Sequence, residues 1–238
     1  MKKFIILIPI YNDWKSVFQL LENIDLQIAK WDAEVLVLII NDGSTEERTV
    51  TELSFKNIKT VRVMNMKQNQ GHARCNAAGL KYLTEKEDFD YVILMDGDGE
   101  DRPEELTSLF NKSKENPLKT VTANRIKRSE GSFFKLLYEC HKILTYVFTG
   151  KLIKFGNYSC LPKEDAARLV KEACIWSSFS GSVTKIISDR VSVPSIRGKR
   201  YFGSSQMNFF KLLVHSFSII AVFKGSVIVR SVLFLIFY

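Results

Sequence analysis

This chain is poor in the residues that metal fingers, disulfide scaffolds and dinucleotide enzymes depend on. Its four cysteines (Cys75, Cys140, Cys160, Cys174) are scattered without finger spacing. That argues against a zinc ribbon or a disulfide framework and for reduced, mostly buried thiols in a cytosolic setting. Three histidines are equally dispersed. There is no G-x-G-x-x-G, internal repeat, low-complexity tract or Q-x-x-R-W. Met1-Lys-Lys precedes only a short apolar run, Phe4-Ile-Ile-Leu-Ile-Pro9, with no small-residue cleavage site. A strand is expected there, not a signal peptide.

What is present is ordinary for a globular protein: 46% hydrophobic and 25% charged residues in 238, enough to bury one full core. The net charge of +8 points to an anionic partner, whether nucleotide phosphate, an acidic membrane surface or nucleic acid. Continuous apolar runs at Phe4–Ile8, Val35–Ile40 and Tyr91–Met95 read as strands, as do Thr60–Met64 and Thr120–Ala123. Helical periodicity separates several of them: Val17, Leu20, Leu21, Ile24 and Ile28, then Ala73–Leu83, then Pro103–Lys114. A helix capped by Asn41-Asp-Gly-Ser-Thr45 is expected from Glu46. This alternation predicts an α/β fold, with a mostly parallel sheet covered by helices on both faces and ligands in the crevice beyond the strands' carboxyl ends. Further on, Phe133–Phe148 and Lys163–Cys174 read as helices, Phe155–Leu161 as a strand, and Val191–Tyr201 as a mobile basic loop.

The loops after the strands carry the chemistry. In Met95-Asp-Gly-Asp-Gly-Glu-Asp-Arg-Pro-Glu-Glu-Leu106, an extended backbone would put Asp96, Asp98 and Glu100 on one face. Crowded carboxylates suit Mg²⁺ or Mn²⁺, which complete their shell with substrate phosphates; a solvated acidic turn is the plainer alternative. Pro9, Tyr11 and Asp13 form one wall of a candidate nucleobase pocket, and Asp42 sits where it can hold base or ribose. Asn69 and Gly71 open a helix whose N–H groups suit anions. Arg125, Lys127 and Arg128 form one cationic cluster, and Arg197, Lys199 and Arg200 a second. Each is either a phosphate clamp or a solvated basic face.

At the C-terminal end, Phe209–Phe223 and Gly225–Tyr238 are apolar apart from a few polar residues. The expected division is a catalytic domain over 1–205 and a membrane-associating segment over 206–238, with a packed core helix as the alternative.

Together, IPIYND (8–13), NDGST (41–45), NQGHARCNAAGL (69–80), MDGDGEDRPEEL (95–106), ANRIKRSEG (123–131) and KRYFGSSQMNFF (199–210) resemble a family 2 glycosyltransferase of the Rossmann-like GT-A fold. The polyprenyl-phosphate sugar synthases are the most similar group. The resemblance implies that Pro9, Tyr11, Asp13 and Asp42 hold the nucleoside and that Asp96 and Asp98 hold metal and diphosphate. Glu100 stands where a metal-binding Gln is common, and Arg125 and Arg200 contact phosphates, the latter on a closing loop. Asn41, Cys75, Asn157 and Gln206 depart from the usual residues, which bears on sugar and acceptor more than on fold.

The implied activity is inverting, metal-dependent single transfer of a sugar from a nucleotide-sugar donor to a polyprenyl phosphate at the cytoplasmic face of a membrane. Nucleic acid is not an expected partner, and a homo-oligomer is allowed. Transfer to a sugar hydroxyl during polysaccharide assembly, or a catalytically silent scaffold of the same shape, are the competing expectations.

Overall fold

The computed structural model describes residues 1–46, 54–127, 132–203 and 209–237. In chain order the elements are β1 (Lys2–Ile10), α1 (Trp14–Gln27), β2 (Ala33–Asn41), β3 (Ile58–Asn65) and α2 (His72–Lys86), then β4 (Tyr91–Leu94), α3 (Leu106–Glu115) and β5 (Thr120–Lys127). There follow α4 (Ser132–Thr149), β6 (Phe155–Pro162), α5 (Lys163–Val170), α6 (Phe179–Ile186), β7 (Arg190–Ile196), α7 (Phe209–Val222) and α8 (Lys224–Phe237). Arg128, Gln206 and most of the helix expected after Glu46 lie outside the described residues.

The strands form one sheet in the order β3-β2-β1-β4-β6-β5-β7. Only β6 runs antiparallel to its neighbours, β4 and β5. Side chains alternate across the sheet, so each strand serves two cores. Phe4, Ile6, Ile8 and Ile10 of β1 face the layer that holds Leu20, Leu21, Leu109 and Phe110 from α1 and α3. Ile5 and Leu7 face the opposite layer, with Leu80, Leu83, Leu169 and Val183 from α2, α5 and α6. The central strands are buried on both faces, which is why they read as unbroken apolar runs.

Two expectations are corrected and one helix is added. The stretch 191–201 is not simply a loop: its first part is β7, paired in parallel with β5. Pro194 is tolerated because β7 is the edge strand. Helix α6, unforeseen, starts at the N-cap Ser178, whose hydroxyl accepts the Gly181 N–H. The helix expected over 163–174 stops at Val170, and a short 3₁₀ turn follows at Ala173–Trp176.

The C-terminal helices α7 and α8 meet at a bend of 93°, and no single helix among the described residues is long and apolar enough to cross a membrane. Ile219, Val222 and Phe223 pack against Ile153 and Cys174. By contrast, α8 buries no residue, and Leu235 and Phe237 are 80% and 84% exposed.

One buried carboxylate ties α1 to β3. Asp25 accepts the backbone N–H groups of Asn57 (2.7 Å), Ile58 (2.8 Å) and Lys56 (3.2 Å). Burial opposes its charge, but these donors outweigh it and hold its pKa below the ordinary value. Such a group contributes stability above the ordinary carboxylate range, and that contribution is lost as pH falls through the depressed folded pKa. Asp25→Ala should therefore cost about 2–3 kcal/mol in urea unfolding near neutral pH. The gap from wild type should close in acid; a gap independent of pH would reject the anionic anchor.

Candidate active site

The carboxyl ends of β1, β2 and β4 open onto one crevice. Three loops build it. In the first, Asn12 adopts φ +49°. Its side-chain oxygen accepts the N–H groups of Thr45 (2.8 Å) and Glu46 (3.2 Å), which fastens the β1 loop to the β2 loop. Pro9 is buried inside β1. Tyr11, 46% exposed, is the open aromatic surface at this wall.

In the second loop, Asp42 is buried, and its two oxygens accept the N–H groups of Gln70 (2.7 Å) and Gly71 (2.9 Å). The anion at this end of α2 is thus the protein's own carboxylate, and Asp42 shapes the pocket from beneath. Asn69 is exposed beside it. Cys75 is fully buried, and its thiol is pushed up first by burial and then by Asp42, so it is chemically quiet.

The third loop follows β4. The chain leaves the strand at Leu94 and turns, with φ +87° at Gly99, so the extended face expected for Asp96, Asp98 and Glu100 does not form. Each carboxylate instead meets its own cation. His72 Nε2 lies 2.9 Å from Asp96, and Asn157 Nδ2 donates to the same oxygen at 3.2 Å. Arg200 bridges Asp98 (2.7 Å) and Asp13 (2.5 Å). Arg197 holds Glu100. Asp101, which sequence reasoning passed over, is 3% exposed; it accepts the Asp96 N–H at 2.9 Å and faces Arg125 Nη2 at 3.5 Å. Among the described residues, no three His, Cys, Asp or Glu side chains converge as metal ligands.

The segment carrying Arg197 and Arg200 lies over this acidic turn. Gly198 N–H donates to Glu100 O at 2.8 Å, and Tyr201 N–H to Asp98 O at 3.0 Å. The Tyr201 ring covers Gly99 so closely that a Cβ there would sit 2.6 Å from it. Its hydroxyl accepts from Asn23 on α1 at 2.9 Å.

The electrostatics follow from crowding. Burial, then the charges of Asp96 and Glu100, push Asp98 up to about 6, against the Glu100 N–H and Arg200. Burial, then Asp96, pushes Asp101 up to about 7, with Arg125 opposing. Asp96 goes the other way: burial would raise it, but His72 and the arginines hold it well below the ordinary range. Burial opposes charge on His72, but Asp96, Asp101 and Asp98 outweigh it and raise its pKa. Asp96 and Asp98 supply hard oxygen donors that now rest on His72 and Arg200, a donor set that fits a divalent ion sharing its shell with a diphosphate. Glu100, committed to Arg197, fits that role less well.

Comparison with known proteins gives the family and the fold. The family model for Glycosyl transferase family 2 matches residues 5–175. The chain therefore belongs to glycosyl transferase family 2, and its class is that of the glycosyltransferases. It is 27% identical over 218 residues to an undecaprenyl-phosphate 4-deoxy-4-formamido-L-arabinose transferase from Klebsiella pneumoniae (strain 342), spanning 89% of this chain but only 64% of that protein. The same enzyme from a second Klebsiella pneumoniae strain gives the same identity and coverage. Solved structures with the same fold include glucosyl-3-phosphoglycerate synthase from Mycobacterium tuberculosis in complex with Mn²⁺, UDP-glucose and phosphoglyceric acid. That match has a TM-score of 0.64 at 12% identity, over 95% of this chain and 80% of that one. Mannosyl-3-phosphoglycerate synthase from Rubrobacter xylanophilus gives 0.63 at 13%, over 94% and 73%.

A site assembled for ligand costs stability without it. Because Asp98 has a raised folded pKa, ionising it costs nothing below the ordinary carboxylate range, and the cost is complete above about 6. Asp98→Asn should raise the stability of the ligand-free protein near neutral pH by on the order of 2 kcal/mol and leave it unchanged in acid. Thermal melts on both sides of that window test this. No gain at neutral pH would mean that Arg200 already neutralises Asp98.

Proposed function

We propose that this chain transfers a sugar, with inversion, from a nucleotide-sugar donor to a polyprenyl phosphate at the cytoplasmic face of a membrane. The observation that carries the reading is the cation-bridged carboxylate crevice lying on the same edge of the sheet as the exposed apolar helices. β6 enters the sheet at that edge, where Asn157 meets Asp96. Ile153, just before β6, packs against Ile219 of α7. The relatives from Klebsiella, named for transfer to undecaprenyl phosphate, support the acceptor class.

Tyr11 offers its ring to the base, and Asp42 holds the floor of the pocket. Asp96 and Asp98 would hold a Mg²⁺ or Mn²⁺ ion, which when bound supplies Lewis acidity toward the leaving diphosphate. Arg200 is positioned to exchange Asp98 and Asp13 for donor phosphate oxygens, and Arg125 backs Asp101 behind the turn. His72 is kept charged by Asp96, which makes it a poor general base. An acceptor that is already anionic needs none, and this favours a phosphate over a sugar hydroxyl. The apolar pair α7–α8 would place the domain on the lipid.

Two readouts test this. Thermal shifts with UDP, GDP, CDP and ADP, each with and without Mn²⁺, should show one metal-dependent stabilisation of ~2.7 kcal/mol at a hundredfold excess over its dissociation constant, absent in Asp98→Ala. With the matching labelled donor and membranes, label should enter a mild-acid-labile lipid of inverted configuration. Label found only in glycan, or with retained configuration, would reject the reading.

A further inference from the structure

A second cavity lies outside the carboxylate crevice, over β5, β6 and β7. In the β5–β7 register Thr120 stands opposite Arg190 and Thr122 opposite Ser192, and Asn124 faces Phe155 across to β6. Alternate residues share a face, so Thr122, Asn124, Arg190 and Ser192 rise on the side of the sheet where Phe155 packs in the layer of α6. The loop from α4 into β6 adds Leu152 and Lys154 to the rim. The space is ≈ 220 Å³. That is the liquid volume of about seven waters, enough for a phosphate group.

Its charge is one-sided, since none of the lining residues is a carboxylate. Arg190 is half-buried. Its Nη1 donates to the Ile187 carbonyl at 2.7 Å, and its guanidinium lies 5.6 Å from the centre of the Phe155 ring. Burial alone acts on its pKa, downward, with no carboxylate to offset it. Asp189, next in the chain, is committed to Lys119 at 2.8 Å. Lys154 is exposed and forms no ion pair among the described residues. A half-buried guanidinium without a counter-ion is costly, and phosphate oxygens match its fork. The Asn124 amide and the Ser192 hydroxyl add neutral donors.

The rim is continuous with the apolar helices. Ile153 packs against Ile219 and Val222 of α7. Arg230 of α8 donates to the Val147 carbonyl at 3.2 Å and lies against Gly150. Between Lys151 and Lys154, Leu152 is 59% exposed. Cations and an open apolar side chain therefore alternate where this loop meets α7 and α8.

We propose that this cavity takes the phosphodiester of an anionic membrane lipid that is not consumed in the reaction, with Arg190 and Lys154 as its cationic ligands and Leu152 entering the bilayer beside it. The inference rests on the reading that α7 and α8 lie on lipid. It adds a chemical preference to that surface: the apolar helices bind any bilayer, and the cavity selects a negative headgroup. The transfer itself stays in the carboxylate crevice.

The test is co-sedimentation of the full chain with phosphatidylcholine vesicles, with and without phosphatidylglycerol. The wild type should bind the anionic vesicles more tightly. Arg190→Gln combined with Lys154→Gln should weaken that binding about tenfold or more and leave binding to pure phosphatidylcholine unchanged. Asn124→Asp places a carboxylate inside the cavity at nearly constant shape. It should keep the melting temperature equal or higher and still abolish the preference for phosphatidylglycerol. Lys171→Gln combined with Lys185→Gln removes the same charge from exposed positions outside the cavity and should cost little. An equal loss there would mean net charge alone and overturn the proposal, as would wild-type preference in Asn124→Asp. If inorganic phosphate stabilises the wild type but not Asn124→Asp, and phosphatidylglycerol adds nothing to vesicle binding, the cavity takes free anion and the lipid assignment falls. Sugar transfer to a prenyl phosphate in neutral detergent separates the two readings. Transfer without any phosphatidylglycerol preference rejects this inference and keeps the proposed function. A variant-sensitive preference without any transfer keeps the site and rejects the function.

Discussion

Four carboxylates within six residues, Asp96, Asp98, Glu100 and Asp101, are crowded at the end of a four-residue strand. Left to themselves they repel, and burial sharpens the repulsion because little water remains to screen it. The surrounding architecture answers that charge from separate parts of the chain. His72 comes from the start of α2, Arg125 from the end of β5, and Arg197 and Arg200 from the segment beyond β7. The parallel sheet makes this possible, since it delivers the ends of distant strands to one edge.

The same arrangement explains why the site is poised rather than rigid. Each arginine now on a carboxylate is a phosphate ligand by chemistry, and a diphosphate with its cation would let the carboxylates and guanidinium groups trade partners without changing the local charge balance much. Tyr201 ties the segment to α1 through Asn23 and lays its ring over Gly99.

Much of this was legible in the sequence, and the gaps have physical causes. The central strands were readable because burial on both faces demands uninterrupted apolar residues, as in Val35–Ile40. β7 was not, because an edge strand is apolar on one side only: Val191 and Val193 alternate with Ser192, Pro194 and exposed residues. The Asp96–Asp98 pair was proposed from its spacing, but its local fold was misjudged, since Gly99 turns the backbone where an extended run was assumed. His72 was passed over because a lone histidine carries no pattern; its meaning comes from Asp96, twenty-four residues on, through the sheet. Asp101 adjoined the motif and was hidden by it. The roles of Asp42 and Asn12 as loop fasteners follow from backbone N–H groups, which residue letters do not display.

The strap formed by Gly198 and Tyr201 over the acidic turn has a consequence for how the molecule is made. Protein synthesis runs from the amino end, so the strands β1 to β4 and the carboxylates at their edge leave the ribosome about a hundred residues before the arginines that neutralise them. During that interval the nascent sheet carries an exposed patch of negative charge at its ligand edge. Arg197–Tyr201 is translated after every strand of the sheet, so the crevice can be completed only once the whole sheet has been made.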